Sequence, residues 1–160
     1  MSTVSGSGSH QARKRSAVEF SLDFWPVVVM TLHGTLNAEA ADQMAAAFVE
    51  ALSRRSTMVH IVDARGVSER PDALVRRKLA DYITRSRDPA KQFSLGTVIV
   101  VNNALLRSAI TAIHWVAPSP VPTVATETME EAVEQCATWL RSNRVSVSAE
   151  LLMRLKQHVR

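Results

Sequence analysis

A single cysteine, Cys136, excludes an intrachain disulfide and leaves a cysteine-based zinc site without ligands. No apolar run is long enough to span a bilayer, and the first residues, MSTVSGSGSHQARKRS, lack the apolar segment of a secretory signal. The chain therefore reads as cytoplasmic. Only 5 glycines occur, and none clusters into a phosphate-binding loop, so neither a P-loop nor a dinucleotide fingerprint is present. There is no G-x-S-x-G nucleophile turn. No two histidines stand at the i, i+4 spacing that puts metal ligands on one helix face. No catalytic residue, cofactor or metal site is expected.

What is present is 160 residues, 46% hydrophobic, enough for one domain with a substantial core. The pI of about 9.8 raises the question of nucleic acid. Between Ala17 and Asn143 there are 12 Lys+Arg against 14 Asp+Glu. The basic excess sits at the two ends, in Arg13, Lys14, Arg15, Arg144, Arg154, Lys156 and Arg160. A folded surface built for phosphate concentrates its charge where the backbone docks. This one does not, so specific nucleic-acid binding is not expected.

Residues 1–16 are Ser/Gly-rich and then basic, and read as a disordered tail. From Ala17, Val18, Phe20, Leu22 and Phe24 alternate with polar residues in the period of a half-buried strand. Pro26 then makes a turn. Val27 to Leu32 is apolar throughout, as in a strand covered on both faces. Asn37 is placed to cap a helix whose stripe is Ala41, Met44, Ala45, Phe48 and Leu52. Val59 to Asp63 is the next strand. A helix from about Pro71, with stripe Val75, Leu79, Tyr82 and Ile83, is stopped by Asp88-Pro89.

Thr97 to Val101 is again a strand. Asn102 or Asn103 caps a helix with Leu105, Leu106, Ala109, Ile110 and Ile113 on one side. Val121 to Thr126 forms a short edge strand, and the following helix buries Met129, Val133, Cys136 and Leu140. The order predicts an α/β domain over 17–143: a mostly parallel five-stranded sheet, one antiparallel N-terminal strand and four flanking helices. Residues 144–160 add a C-terminal amphipathic helix capped by Ser148, with Leu151, Leu152, Leu155 and Val159 apolar.

Two segments carry a family likeness. His33-Gly34-Thr35-Leu36-Asn37 resembles the turn that leads from a strand into the first helix of STAS domains, with Asn where those have Asp. Ile61-Val62-Asp63-Ala64-Arg65-Gly66-Val67 resembles their next strand and its end. Over 17–143 the chain is similar to the divergent SpoIIAA-like branch, which shares its fold with lipid-carrying CRAL-TRIO domains. The likeness implies a non-enzymatic, cytoplasmic regulatory module that binds a protein partner. Anti-sigma-factor antagonists of this family carry a phosphorylatable D-[ST]-[ST]-G-like turn after that strand. Here the turn reads GVSERPD, so that switch is missing.

Ser68 and Arg70 occupy the switch position. Ser68 reads as a phosphoacceptor paired by Arg70, or as a helix-cap or turn residue. His33, Asp63 and Ser68 make a triad only on paper, and His60 and His114 stand isolated. Cys136 reads as a small buried hydrophobe, and Trp139 as ordinary packing. Trp115, with Ser108 and Thr111, falls opposite the apolar stripe of its helix. It is the candidate anchor of an interface with another protein or a second copy of the chain.

Two functions are carried forward. A regulatory interaction module predicts a filled core and an exposed patch at Trp115. A carrier of a small apolar ligand or lipid predicts an apolar cavity of roughly a few hundred Å³ between the Asn103–Val116 helix and the sheet. A small hydrolase, the foil, requires converging polar groups with perturbed pKa values.

Overall fold

The computed structural model describes residues 17–158; the N-terminal segment 1–16, Val159 and Arg160 lie outside them. Five strands, β1 (Val18–Ser21), β2 (Val27–Gly34), β3 (Met58–Val67), β4 (Ser94–Val100) and β5 (Thr123–Thr126), form one sheet in sequential order. β1 is antiparallel to β2 and the remaining pairs are parallel. The helices are α1 (Ala38–Ser53), α2 (Ala73–Arg85), α3 (Arg87–Phe93), α4 (Ala104–Val116), α5 (Met129–Ser142) and α6 (Ala149–His158). Right-handed crossovers between sequential parallel strands put α1, α2 and α4 on one face. The chain then returns α5 and α6 to the other.

The caps explain where the helices start. Asn37 accepts from the Ala40 amide at 2.9 Å, and Asn103 from Leu105 and Leu106. Thr128 and Glu131 form a reciprocal capping box at α5. The backbone amides of Glu127 and Thr128 hold the Glu131 carboxyl below its ordinary range. Ser148 accepts from the Leu151 amide at α6. Four details differ from the sequence reading. Leu22 and Phe24 lie in the turn that ends at a cis Trp25–Pro26 bond, not in β1. Asp72, not Ser68, caps α2, and Pro71 precedes it. Asp88-Pro89 does not end helical structure but opens α3, because a proline in a first turn lacks only an amide that has no partner there. Among the described residues six helices thus flank the sheet, α3 being the one not expected.

The core has two layers of unequal quality. On one face Val27, Val29, Val59, Ile61, Val98 and Val100 meet Met129, Ala132, Val133, Cys136 and Leu140 of α5. All five α5 residues are buried, and burial pushes the Cys136 thiol up to about 12. α6 closes the end of this layer through fully buried Leu155, and Lys156 reaches Glu134 at 2.6 Å. The C-terminal helix is therefore part of this core. Gly96 is the reason α5 comes so near β4. A Cβ there would sit 2.6 Å from the Trp139 ring. On the opposite face α2 and α4 pack on each other and stand farther from the sheet.

Gly96→Val should therefore lift α5 from β4 and destabilise the fold by about 2 kcal/mol or more, since overpacking a tight core costs ~1–3 kcal/mol. Urea denaturation measures this, and Trp139 fluorescence should shift with the displaced ring.

Candidate functional site

The looser layer encloses a cavity of about 180 Å³, partly open to solvent. Its floor is the sheet: Leu32 of β2, His60, Val62 and Ala64 of β3, Thr97 and Ile99 of β4, and Thr123 of β5. Side-chain alternation sends these residues to the face opposite α5. Its walls are Met44, Phe48 and Leu52 of α1, Leu79, Tyr82 and Ile83 of α2, and Leu106, Ile110 and Ile113 of α4. Ser119, Pro120 and Val121 border it. Thr97 and Ile99 belong to an internal strand, yet they are only half-buried, while Val98 and Val100 on the other face are fully buried. The same incomplete burial marks Leu79, Tyr82 and Ile83. Of the stripe predicted for α2, Val75 is buried in the core, while Leu79, Tyr82 and Ile83 line the cavity.

No Lys, Arg, Asp or Glu lines the cavity. Its polar groups are few, and most are already engaged. Ser86 donates to the Tyr82 carbonyl, Ser119 to the Val121 carbonyl, and Thr123 to Ser119. His60 differs. It is 4% exposed, its Nδ1 lies 3.3 Å from Ser94 Oγ, and its Nε2 is buried without a hydrogen-bond partner. The Phe48 ring meets the imidazole edge-on, and Tyr82 stacks on Phe48. Burial holds the His60 pKa down at about 4, and lowers that of His114, which also borders the cavity.

The residues singled out in the sequence lie elsewhere. Ser68 and Arg70 are exposed in the β3–α2 loop. The Ser68 amide donates to the Gly34 carbonyl at 3.0 Å. That contact ties the loop to the turn where Gly34 takes φ +66, a conformation glycine adopts freely. Asp63 is occupied by the Arg65 guanidinium at 2.9 and 2.8 Å, which raises the Arg65 pKa. His33 Nε2 lies 3.4 Å from Glu19. His33, Asp63 and Ser68 therefore form no catalytic relay. Among the described residues no three His, Cys, Asp or Glu gather as a metal site, and no helix is long and apolar enough to cross a membrane.

Trp115 is 84% exposed, Val116 79% and Leu105 66%. Leu105 does not share the buried stripe with Leu106; one residue turns the helix by 100°, and only one of the two can face inward. Ser108 and Thr111 are exposed on the same outer side, their hydroxyls donating to the Leu105 and Arg107 carbonyls. The outer side of α4 is thus a second feature, separate from the cavity beneath it.

His60 carries a pH consequence. In the unfolded chain it protonates near its ordinary 6.5, while in the fold it stays neutral to about 4. The unfolded state binds more protons in that window, so stability falls as pH drops from about 6.5 to about 4, by roughly 3 kcal/mol in total. His60→Phe should flatten this part of the stability–pH curve, as measured by urea midpoints at pH 7, 5.5 and 4.5.

None of the known family models matches the chain, and no curated protein matches it. Solved structures do. One is an uncharacterized protein of the DUF3478 family with a SpoIIAA-like fold from Shewanella loihica PV-4. It is 18% identical to this chain, covers 74% of it and 89% of its own length, and superposes with a TM-score of 0.52. At that identity the likeness speaks for architecture alone, and it agrees with the sheet order, the antiparallel first strand and the helix placement. The chain has a SpoIIAA-like fold, of the divergent kind.

Proposed function

We propose that the chain binds a small, uncharged, mostly apolar molecule between α4 and the sheet. The observation that carries this reading is the cavity of about 180 Å³ whose wall contains no charged side chain. An apolar cavity of about 150 Å³ stays dry and takes up benzene, so this one has room for a ligand of one or two fused rings. Charged ligands are disfavoured, because nothing in the wall compensates an ion removed from water. Among the described residues, no nucleophile, base and orienting group come together in mutual reach.

The experiment is thermal unfolding with naphthalene as the probe. Binding to the folded state alone stabilises by about 2.7 kcal/mol at a hundredfold excess over Kd, so the midpoint should rise with probe concentration. Ala109→Phe fills the space from α4 and should abolish the rise while the variant still unfolds cooperatively. A wild-type midpoint that ignores the probe sinks the proposal.

A second reading, a regulatory interaction module, is favoured by the exposed apolar side of α4. Large exposed aromatics are the residues that dominate interface energetics once covered. A protein partner or a second copy of the chain would cover Trp115, Leu105 and Val116, with Ser108 and Thr111 beside them. On this reading Trp115→Ala weakens association by roughly 2 kcal/mol. It leaves monomer stability within about 0.5 kcal/mol, since the ring makes little intrachain contact. Sedimentation and urea denaturation of the one variant measure both quantities. Unchanged association, tested with the chain alone and with captured partners, removes Trp115 from any interface.

A further inference from the structure

The lining of the cavity is polar at one end only. Ser86, Thr97, His114, Ser119 and Thr123 gather where α2 and α4 end and β4 and β5 begin, with Tyr82 beside them. His60 and Ser94, bonded to each other, stand at this end too. The other end, beyond the C-terminal ends of the strands, is Leu36, Val67, Pro71 and Leu106, all apolar and all buried. Ser86, His114, Ser119 and Thr123 are only partly buried, so the polar end is the open one.

Thr97 differs from its polar neighbours in being fixed on the floor with its hydroxyl unused. Strand alternation sends Thr97 and Ile99 toward the cavity and Val98 and Val100 toward α5. β4 is paired on both sides here, Thr97 standing in register with His60 of β3 and Thr123 of β5. The side chain is nevertheless only half-buried, and with a strand on either side its free surface is the cavity's. The Thr97 amide donates to the Pro122 carbonyl at 2.9 Å. Its Oγ1 has no partner among the described residues, and unlike His60 Nε2 that oxygen is accessible. A hydroxyl both donates and accepts, so it serves a ligand hydroxyl, carbonyl or amide alike. It does not compensate an ion: no Lys, Arg, Asp or Glu lines the cavity to replace the water lost by a charged group.

We infer that the ligand is a neutral amphiphile, its one uncharged polar group hydrogen-bonded to Thr97 Oγ1 and its hydrocarbon body lying along Val62, Ile99 and Ile110 toward the apolar end. The inference rests on the cavity being a binding site and adds the orientation and the polar end of the ligand. Thr97 is the specificity-determining residue. It stands on the strand that α5 supports from behind, so its position does not depend on the looser shell above.

The test measures three probes of similar shape by equilibrium dialysis against the full chain: 2-methylnaphthalene, 2-naphthol and 2-naphthoate. The decisive quantity is the affinity for 2-naphthol relative to 2-methylnaphthalene, because methyl and hydroxyl differ little in size. Thr97→Val keeps the shape of the side chain and removes its hydroxyl. It should lower that ratio about five- to tenfold, the value of one net hydrogen bond, while 2-methylnaphthalene binds at least as well as to the wild type. Thr97→Ser keeps a hydroxyl and should keep the ratio. 2-Naphthoate should bind the wild type at least tenfold more weakly than 2-naphthol. A ratio unchanged in Thr97→Val overturns the assignment of Thr97 alone, with the binding cavity intact. Tightest binding of 2-naphthoate overturns the neutral polar end. Failure of all three probes to bind the wild type overturns the inference together with the cavity reading. Thr97→Ala gives the same readout where the valine variant does not fold.

Discussion

The contact between the Trp139 indole and the bare backbone of Gly96 sets the geometry of everything else. It lets α5, already lined with Ala132, Cys136 and Ala137, settle close on the central strands. Three inner strands carry valine or isoleucine toward that helix, so one layer closes at the packing density of a protein interior. α6 then locks against α5, and the β1–β2 turn joins them where Phe24 meets His158 and Arg154. The sheet has its rigid support on this side. The other face is free to be incompletely filled, and it is.

The arrangement concentrates the chemistry of the molecule in few places. The Asp63–Arg65 pair is a local clamp at the end of β3. Glu19 and His33 meet across the β1–β2 edge. Neither borders the cavity, which is lined by two imidazoles, those of His60 and His114. The cavity is assembled from ordinary core residues, most of them apolar. The β3–α2 loop, where STAS domains carry their phosphorylation switch, borders the cavity through Val67 and Pro71, while Ser68 and Arg70 between them are exposed and the Ser68 amide is tied to the Gly34 carbonyl.

Periodicity and caps made the architecture legible. The apolar runs at Val27 and Thr97, the Asn37 and Asn103 caps and the stripe Met129, Val133, Cys136 and Leu140 each specify an element locally, and right-handed crossovers place helices on the faces of the sheet. The helix at Arg87–Phe93 is not legible in the sequence, because Asp88-Pro89 reads equally as a stop and as the first turn of a new helix. Leu105 escaped because two adjacent leucines cannot both face inward, and composition does not say which one does. The cavity was foreseen only as one of two alternatives. Nothing in an apolar stripe states whether the stripe opposite touches it. His60 was passed over as isolated in sequence. Its neighbours Ser94 and Phe48 come from β4 and α1, and only folding brings them together. A histidine in an otherwise valine-rich strand was the available signal.

The unequal layers also bear on how the fold breathes. Local opening selects the part of a structure with the fewest buried contacts. Here that is the α2–α4 shell, while α5, α6 and the strands beneath them stay closed. Backbone amides of α4 should then exchange with solvent through a partial opening that leaves the sheet intact, and amides of β3 and β4 only through global unfolding. The shell that loosens first is the one a ligand reaches beneath. On the proposed reading, a ligand would enter by this same motion, and its occupancy would supply the missing piece of core and slow it.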